Sequence, residues 1–99
     1  MVGFVLSKAA IADLKSIGRY TYDNWGENQQ NIYLGDIYKV FNNLTCLTIK
    51  GHSVYEIRKN YFKYKVGKHI VFYKEEQNII YIIRVLHERM DVEKHLLNS

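Results

Sequence analysis

Proline is absent from the 99 residues, and cysteine occurs once, at Cys46. With no proline, turns and helix starts fall to glycine and to capping side chains. A lone cysteine forms no internal disulfide, so a reducing, cytoplasmic setting is expected. Cys46 and His52 have no second pair at zinc spacing, and neither a metal site nor a cofactor is expected. No apolar run approaches the roughly 20 residues of a membrane span. The opening MVGFVLSKAA lacks the long apolar stretch of a secretory signal. Acidic residues are scarce in one place, residues 50–74, where seven lysines and arginines stand against Glu56 alone. That stretch carries the positive field of a chain whose net charge is +4. It suits an acidic partner, either nucleic acid or an acidic protein segment, and a solvated lysine-rich sheet face accounts for it equally well.

Hydrophobic residues make up 47% of the chain and charged residues 24%, the balance of a globular protein. The length fits one domain over residues 1–99 with one core. Phe4 to Leu6 reads as a short strand. Ser7 offers an N-cap to a helix opening KAAIADL. Ala10, Leu14, Ile17, Thr21 and Trp25 then recur at helical spacing, and Gly26 ends that helix. A second helix begins near Glu27 to Gln30 and carries Tyr33, Ile37, Val40, Leu44 and Leu47 on one stripe. Two amphipathic helices joined by a short break form an antiparallel hairpin. After Gly51 the period becomes two. Phe62, Tyr64 and Val66 alternate with Tyr61, Lys63 and Lys65, giving one apolar and one wet face. Gly67-Lys68 makes a tight turn, His69 to Tyr73 returns, and Lys74 to Asn78 forms a second, charged turn. Ile79 to Leu86 is apolar on both faces and belongs inside the sheet. Asp91 caps a last short helix, VEKHLL, which at two turns needs packing to persist. The pattern is α+β: an N-terminal helix hairpin on a mainly antiparallel sheet, with a short C-terminal helix.

Three stretches carry a family resemblance: AAIADLKSIGRYTYDNWG, EIRKNYFKYKVGKHIVFY and IIRVLHERMDVEKHL. Over Ser7 to Leu96 the chain resembles the ParE toxins of the RelE/ParE superfamily, the toxic halves of bacterial type II toxin–antitoxin modules. It departs from the pattern at Ser7-Lys8, where the family often has Ser-Pro, and at CLTIKG, where it often has Asn-Pro. The resemblance implies a toxin that binds and poisons DNA gyrase without catalysis and is neutralised by a ParD-like antitoxin, with oligomers formed through that antitoxin. Two alternatives stand beside it: a RelE-like, ribosome-dependent mRNA endonuclease, and a degenerate, non-toxic binding partner.

For the endonuclease alternative, correspondence with the RelE branch places Lys63, Lys65, His69, Arg89 and His95 at the catalytic positions. Cleavage by a 2′-hydroxyl needs a base, an acid and cations around the phosphate, and these are suitable residue types. For the ParE reading, the expected target-binding set is Arg84, His87, Arg89, His95, Tyr61, Lys63 and Lys65. Arg84 inside an apolar strand calls for a carboxylate, with Asp91, Glu56 or Asp13 as candidates. His87 ends its strand, where a neutral imidazole satisfies backbone carbonyls. Met90 is expected to fill a gap under the hairpin. Tyr61 interleaved with lysines suits stacking on nucleic acid, but the chain has nine tyrosines and direct nucleic-acid binding is not expected. Trp25 is read as a core anchor at the hairpin bend or, if exposed, as a partner hot spot. Ile32, Tyr33, Leu34, Phe41 and Ile49 exceed what one helix face can bury. With Trp25, the first four are the expected antitoxin contacts.

Overall fold

Helix formation starts where the capping chemistry puts it. A computed structural model describes residues 3–97, side chains at positions 93 and 97 excepted. Ser7 is extended (φ −68°, ψ 162°) and its Oγ accepts the Ala10 N–H at 2.9 Å, as an N-cap does. The same Oγ donates to the Ile83 carbonyl at 2.6 Å, and the Ser7 N–H donates to the Ile82 carbonyl at 3.0 Å. One residue thus caps the helix and ties its start to a distant strand. The strand β1 (Gly3–Leu6) precedes it, and α1 (Lys8–Thr45) follows, broken at Gly26 with φ 88° and ψ 178°. Side chains resist that positive φ, so glycine is the residue for the break. The chain doubles back there. Gln30 Nε2 donates to the Gly18 carbonyl at 3.0 Å, where an unbroken helix would hold residues 12 apart at about 18 Å. The arms 8–25 and 27–45 form the expected antiparallel hairpin. Leu47, expected to prolong the second stripe, instead lies past the helix with φ 58° and is 73% exposed.

Five strands follow the order β1-β5-β4-β3-β2. They include β2 (His52–Ser53), β3 (Tyr61–Val66), β4 (His69–Glu76) and β5 (Ile79–His87), and α2 (Val92–Leu97) closes the described chain. The pairs β2–β3, β3–β4 and β4–β5 are antiparallel, while β1 lies parallel to β5. β5 is thus paired on both sides, as its apolar character demands. β4 runs to Glu76, three residues beyond the expected strand end at Tyr73. Lys74, Glu75 and Glu76 pair with Tyr81, Ile80 and Ile79, and a Lys74–Glu76 ion pair at 2.9 Å keeps two of the charges together. The turn shrinks to Gln77 and Asn78, both at positive φ (51° and 65°), as a two-residue I′ hairpin requires.

Alternation splits the apolar side chains between two faces. On one, Ala10, Leu14, Ile17, Ile37, Phe41 and Leu44 of the hairpin pack on Val71, Tyr73, Ile80, Ile82 and Val85. On the other, Val54, Tyr61, Phe72, Leu86 and Leu96 form a second cluster. α2 belongs to this second layer: Leu96 is fully buried, and Asp91 caps the helix through its Oδ1 and the Lys94 N–H at 3.2 Å. Packing therefore holds a helix too short to persist alone.

Candidate functional site

The strand register gathers one end of the sheet into a cluster. Val66 pairs with His69, and His69 with His87, so the three lie in one row on the hairpin face. Tyr33 comes down from the second helical arm onto this row. Its hydroxyl lies 2.6 Å from His69 Nδ1 and 3.3 Å from the Val66 carbonyl, and it accepts the Lys68 N–H at 3.1 Å. The one hydroxyl hydrogen goes to Nδ1 or to the carbonyl according to the His69 tautomer. Gly67 (φ 58°) fits beneath the ring, where a Cβ would stand 2.7 Å from the phenol. The His69 and His87 rings meet edge to face at 5.3 Å. His87 Nδ1 accepts the Arg89 N–H at 3.1 Å, so the imidazole serves a backbone donor and not a carbonyl.

Charge in this corner follows burial and neighbours. Burial, and then the facing His87, hold His69 below the ordinary histidine range. The charged form of the His69 imidazole is thereby disfavoured. Burial pushes the Tyr33 phenol up. Lys65, 3.2 Å away, lowers the Glu88 carboxyl.

Arg84 has found one of its three candidate carboxylates. Its Nε and Nη2 donate to Asp13 Oδ2 and Oδ1 at 2.8 and 2.9 Å, and Asp13 Oδ2 also accepts the Val85 N–H at 2.9 Å. With side chains only 18% and 13% exposed, this pair pins the first helical arm to β5.

The expected target-binding residues are thus divided. Arg89 is exposed in the turn after β5, and His95 is half-buried on α2. Lys63 and Lys65 are exposed on the sheet face opposite His69, so the endonuclease set straddles the sheet. Tyr61 opens the same row but is buried at 7% exposure, with the Arg58 guanidinium over its ring at 4.8 Å. It leaves the exposed set because α2 and the loop before β3 cover that end of the face.

The expected antitoxin contacts divide too. Phe41 is fully buried in the hairpin-side core, and Tyr33 and Leu34 are half-buried. Ile32 is 50% exposed. Trp25 is 63% exposed against Tyr20, a surface aromatic and not a core anchor. Met90, expected under the hairpin, is 47% exposed instead.

Between the helical arms runs a groove of about 760 Å³ that includes Ile11, Leu14, Tyr22, Leu34 and Tyr38 in its walls. Of these, only Leu34 was foreseen as a contact. Ile11, Lys15, Gly18 and Tyr22, spaced by 4, 3 and 4, form a second helical stripe beside the core stripe. Residues 30, 34 and 38 answer it from the other arm. Those spacings are the signal that would have located the groove.

No helix among the described residues is long and apolar enough to cross a membrane, and no group of three or more metal-ligating side chains forms there. Residues 4–92 match the family described as ParE toxin of type II toxin–antitoxin system, parDE. A Toxin ParE1 of Mycobacterium tuberculosis is 37% identical over 94% of this chain and 96% of its own length. A Toxin ParE1 of Caulobacter vibrioides is 31% identical over 97% and 99%. The fold is similar to a chain of the solved chromosomal ParDE system from P. aeruginosa, with a TM-score of 0.72 at 16% identity, covering 88% of this chain and 96% of that one. This chain belongs to the ParE toxin family of type II toxin–antitoxin systems.

Proposed function

We propose that the protein is a cytoplasmic toxin that inhibits DNA gyrase by binding it, without bond chemistry of its own, and that a ParD-like antitoxin neutralises it. The observation that carries this reading is the arrangement of the two faces within a ParE-family chain. The hairpin presents an open apolar groove with Ile11, Tyr22 and Tyr38 at 41%, 52% and 40% exposure, the kind of surface a partner helix fills. The sites needed for RNA cleavage are not gathered around one phosphate. Lys63 and Lys65 lie across the sheet from His69, which is held by Tyr33.

On this reading the antitoxin lays an amphipathic segment along the groove and reaches Ile32 and Trp25 at the hairpin tip. The exposed C-terminal corner, Arg89 with the Lys63–Lys65 row, carries the contact with gyrase. Induction without antitoxin tests it in cells. The expected result is arrested growth with a DNA-damage response. Translation arrest with cleaved transcripts, lost in an Arg89→Ala/His95→Ala variant, would favour the endonuclease. Unaffected growth would favour a non-toxic binding partner.

A further inference from the structure

Resting on the reading of the hairpin groove as the antitoxin's docking site, we infer that the groove selects an acidic amphipathic helix, one that presents two carboxylates a single turn apart. Every charged residue lining the groove stands on one wall. Lys15, Arg19 and Asp23 line it from the first arm, while the second arm contributes the uncharged Gln30, Leu34 and Tyr38. The three charged side chains are exposed, and none has an ion-pair partner among the described residues. They recur every four residues, so they stand about 6 Å apart along the arm. The two cations lie toward the sheet and the carboxylate toward the Gly26 bend. From Ile11 to Tyr22 the wall runs for about 17 Å, three turns of helix.

A groove between two antiparallel helices accepts a third helix, whose side chains seat between the ridges of both arms. Its apolar stripe meets Ile11, Tyr22, Leu34 and Tyr38. Beside that stripe, toward the first arm, it carries two carboxylates opposite Lys15 and Arg19. Asp23 repels a third, so the acidic run ends there. The side toward the second arm needs no charge. Apolar side chains lie among the cations, Ile11 one turn from Lys15 and Tyr22 one turn from Arg19, which is the mixture of a protein interface with its apolar centre and charged rim. A second copy of this chain does not supply the pattern. The acids of α1 are Asp13, Asp23, Glu27 and Asp36. Asp13 is held by Arg84, and the one pair four residues apart, Asp23 and Glu27, straddles the Gly26 break. α2, at six residues, is too short for the groove. The partner is therefore a different chain. Its apolar stripe supplies the hold, and the Lys15–Arg19 pair supplies discrimination between one antitoxin and another.

Titration calorimetry of the purified toxin with two synthetic helices tests it. Both peptides have about 15 residues and the same leucine stripe, and they differ only in carrying two glutamates or two lysines, four residues apart, beside it. The glutamate peptide should bind about tenfold tighter at low salt, and the ratio should shrink toward one as salt rises. Lys15→Glu/Arg19→Glu should invert the preference and Lys15→Gln/Arg19→Gln should abolish it, with circular dichroism showing that both variants keep the fold. Equal affinity of the native toxin for the two peptides would overturn the inference. So would a glutamate preference that survives in Lys15→Glu/Arg19→Glu, or no binding of either peptide. Ile11→Glu separates this inference from the reading beneath it. If that variant loses both peptides while the native toxin fails to discriminate, only the charge selection falls. If it binds both as strongly as the native toxin does, the site lies elsewhere and the groove reading falls as well. Native toxin that prefers the glutamate peptide yet leaves supercoiling by gyrase unchanged removes only the gyrase reading.

Discussion

Removing the Asp13 carboxylate should cost more than any exposed substitution. Asp13 accepts from Arg84 Nε and Nη2 and from the Val85 N–H. Breaking a buried ion pair from one side costs about 3–5 kcal/mol, because the remaining charge stays desolvated. Arg84 keeps 18% side-chain exposure and has other contacts, which lowers the figure for Asp13→Ala to about 2–4 kcal/mol. For a chain of this length that is a fall in Tm of roughly 10–25 °C. Asp13→Asn keeps an acceptor for the Val85 amide and loses only the charge, for about 1–2 kcal/mol. Asp13→Asn/Arg84→Met removes both charges, keeps an acceptor for the Val85 amide and should lie within about 1 kcal/mol of the starting protein. Urea denaturation reads all three through the midpoint at constant m. If Asp13→Ala costs under about 0.5 kcal/mol, or the double variant loses as much as the single, the ion pair does not hold the first arm to β5 and the reasoning fails.

Other consequences follow from the histidine corner and the groove. His69 is held below its unfolded value, so its contribution to stability is complete above about pH 6.5 and is lost as pH falls toward its folded value. His69→Gln should remove up to about 1.4 kcal/mol per pH unit of that slope in acid-range denaturation. Gly67→Ala combines a positive φ with a Cβ 2.7 Å from Tyr33, so it should cost more than about 1 kcal/mol in urea and less in a Tyr33→Leu background. Trp25→Ala, at an exposed position, should change the midpoint by less than about 0.5 kcal/mol while weakening the antitoxin complex. Ile11→Glu in the groove should abolish antitoxin capture in titration calorimetry and leave the fold intact.

Much of the architecture was legible in the sequence because its causes are local. The Ser7 cap, the break at Gly26, the Gly67 turn and the Asp91 cap each rest on a side chain's own backbone chemistry. Asp13 was readable as a partner for Arg84 because a guanidinium in an apolar strand needs a carboxylate, although Asp91 and Glu56 fitted the sequence as well. What escaped depends on chain far away. Tyr61 alternates with lysines yet is buried, since α2 and the 54–60 loop fold over that end of the face. Phe41 looked surplus to one helix stripe, but the core reaches it between Phe4 and Tyr38. Trp25 looked like core by size and spacing, but the bend at Gly26 carries it past the sheet into solvent. The parallel β1–β5 pair and the two-residue β2 have no periodicity of their own and exist through their neighbours.

The central claim is that this fold acts by adhesion to gyrase. Purified toxin added to gyrase, relaxed plasmid and ATP tests it most directly. The account predicts lost supercoiling and a gyrase–DNA cleavage complex trapped by detergent, both reversed by the antitoxin. Unchanged supercoiling with no trapped complex, while the same preparation cuts messenger RNA on ribosomes, would contradict it.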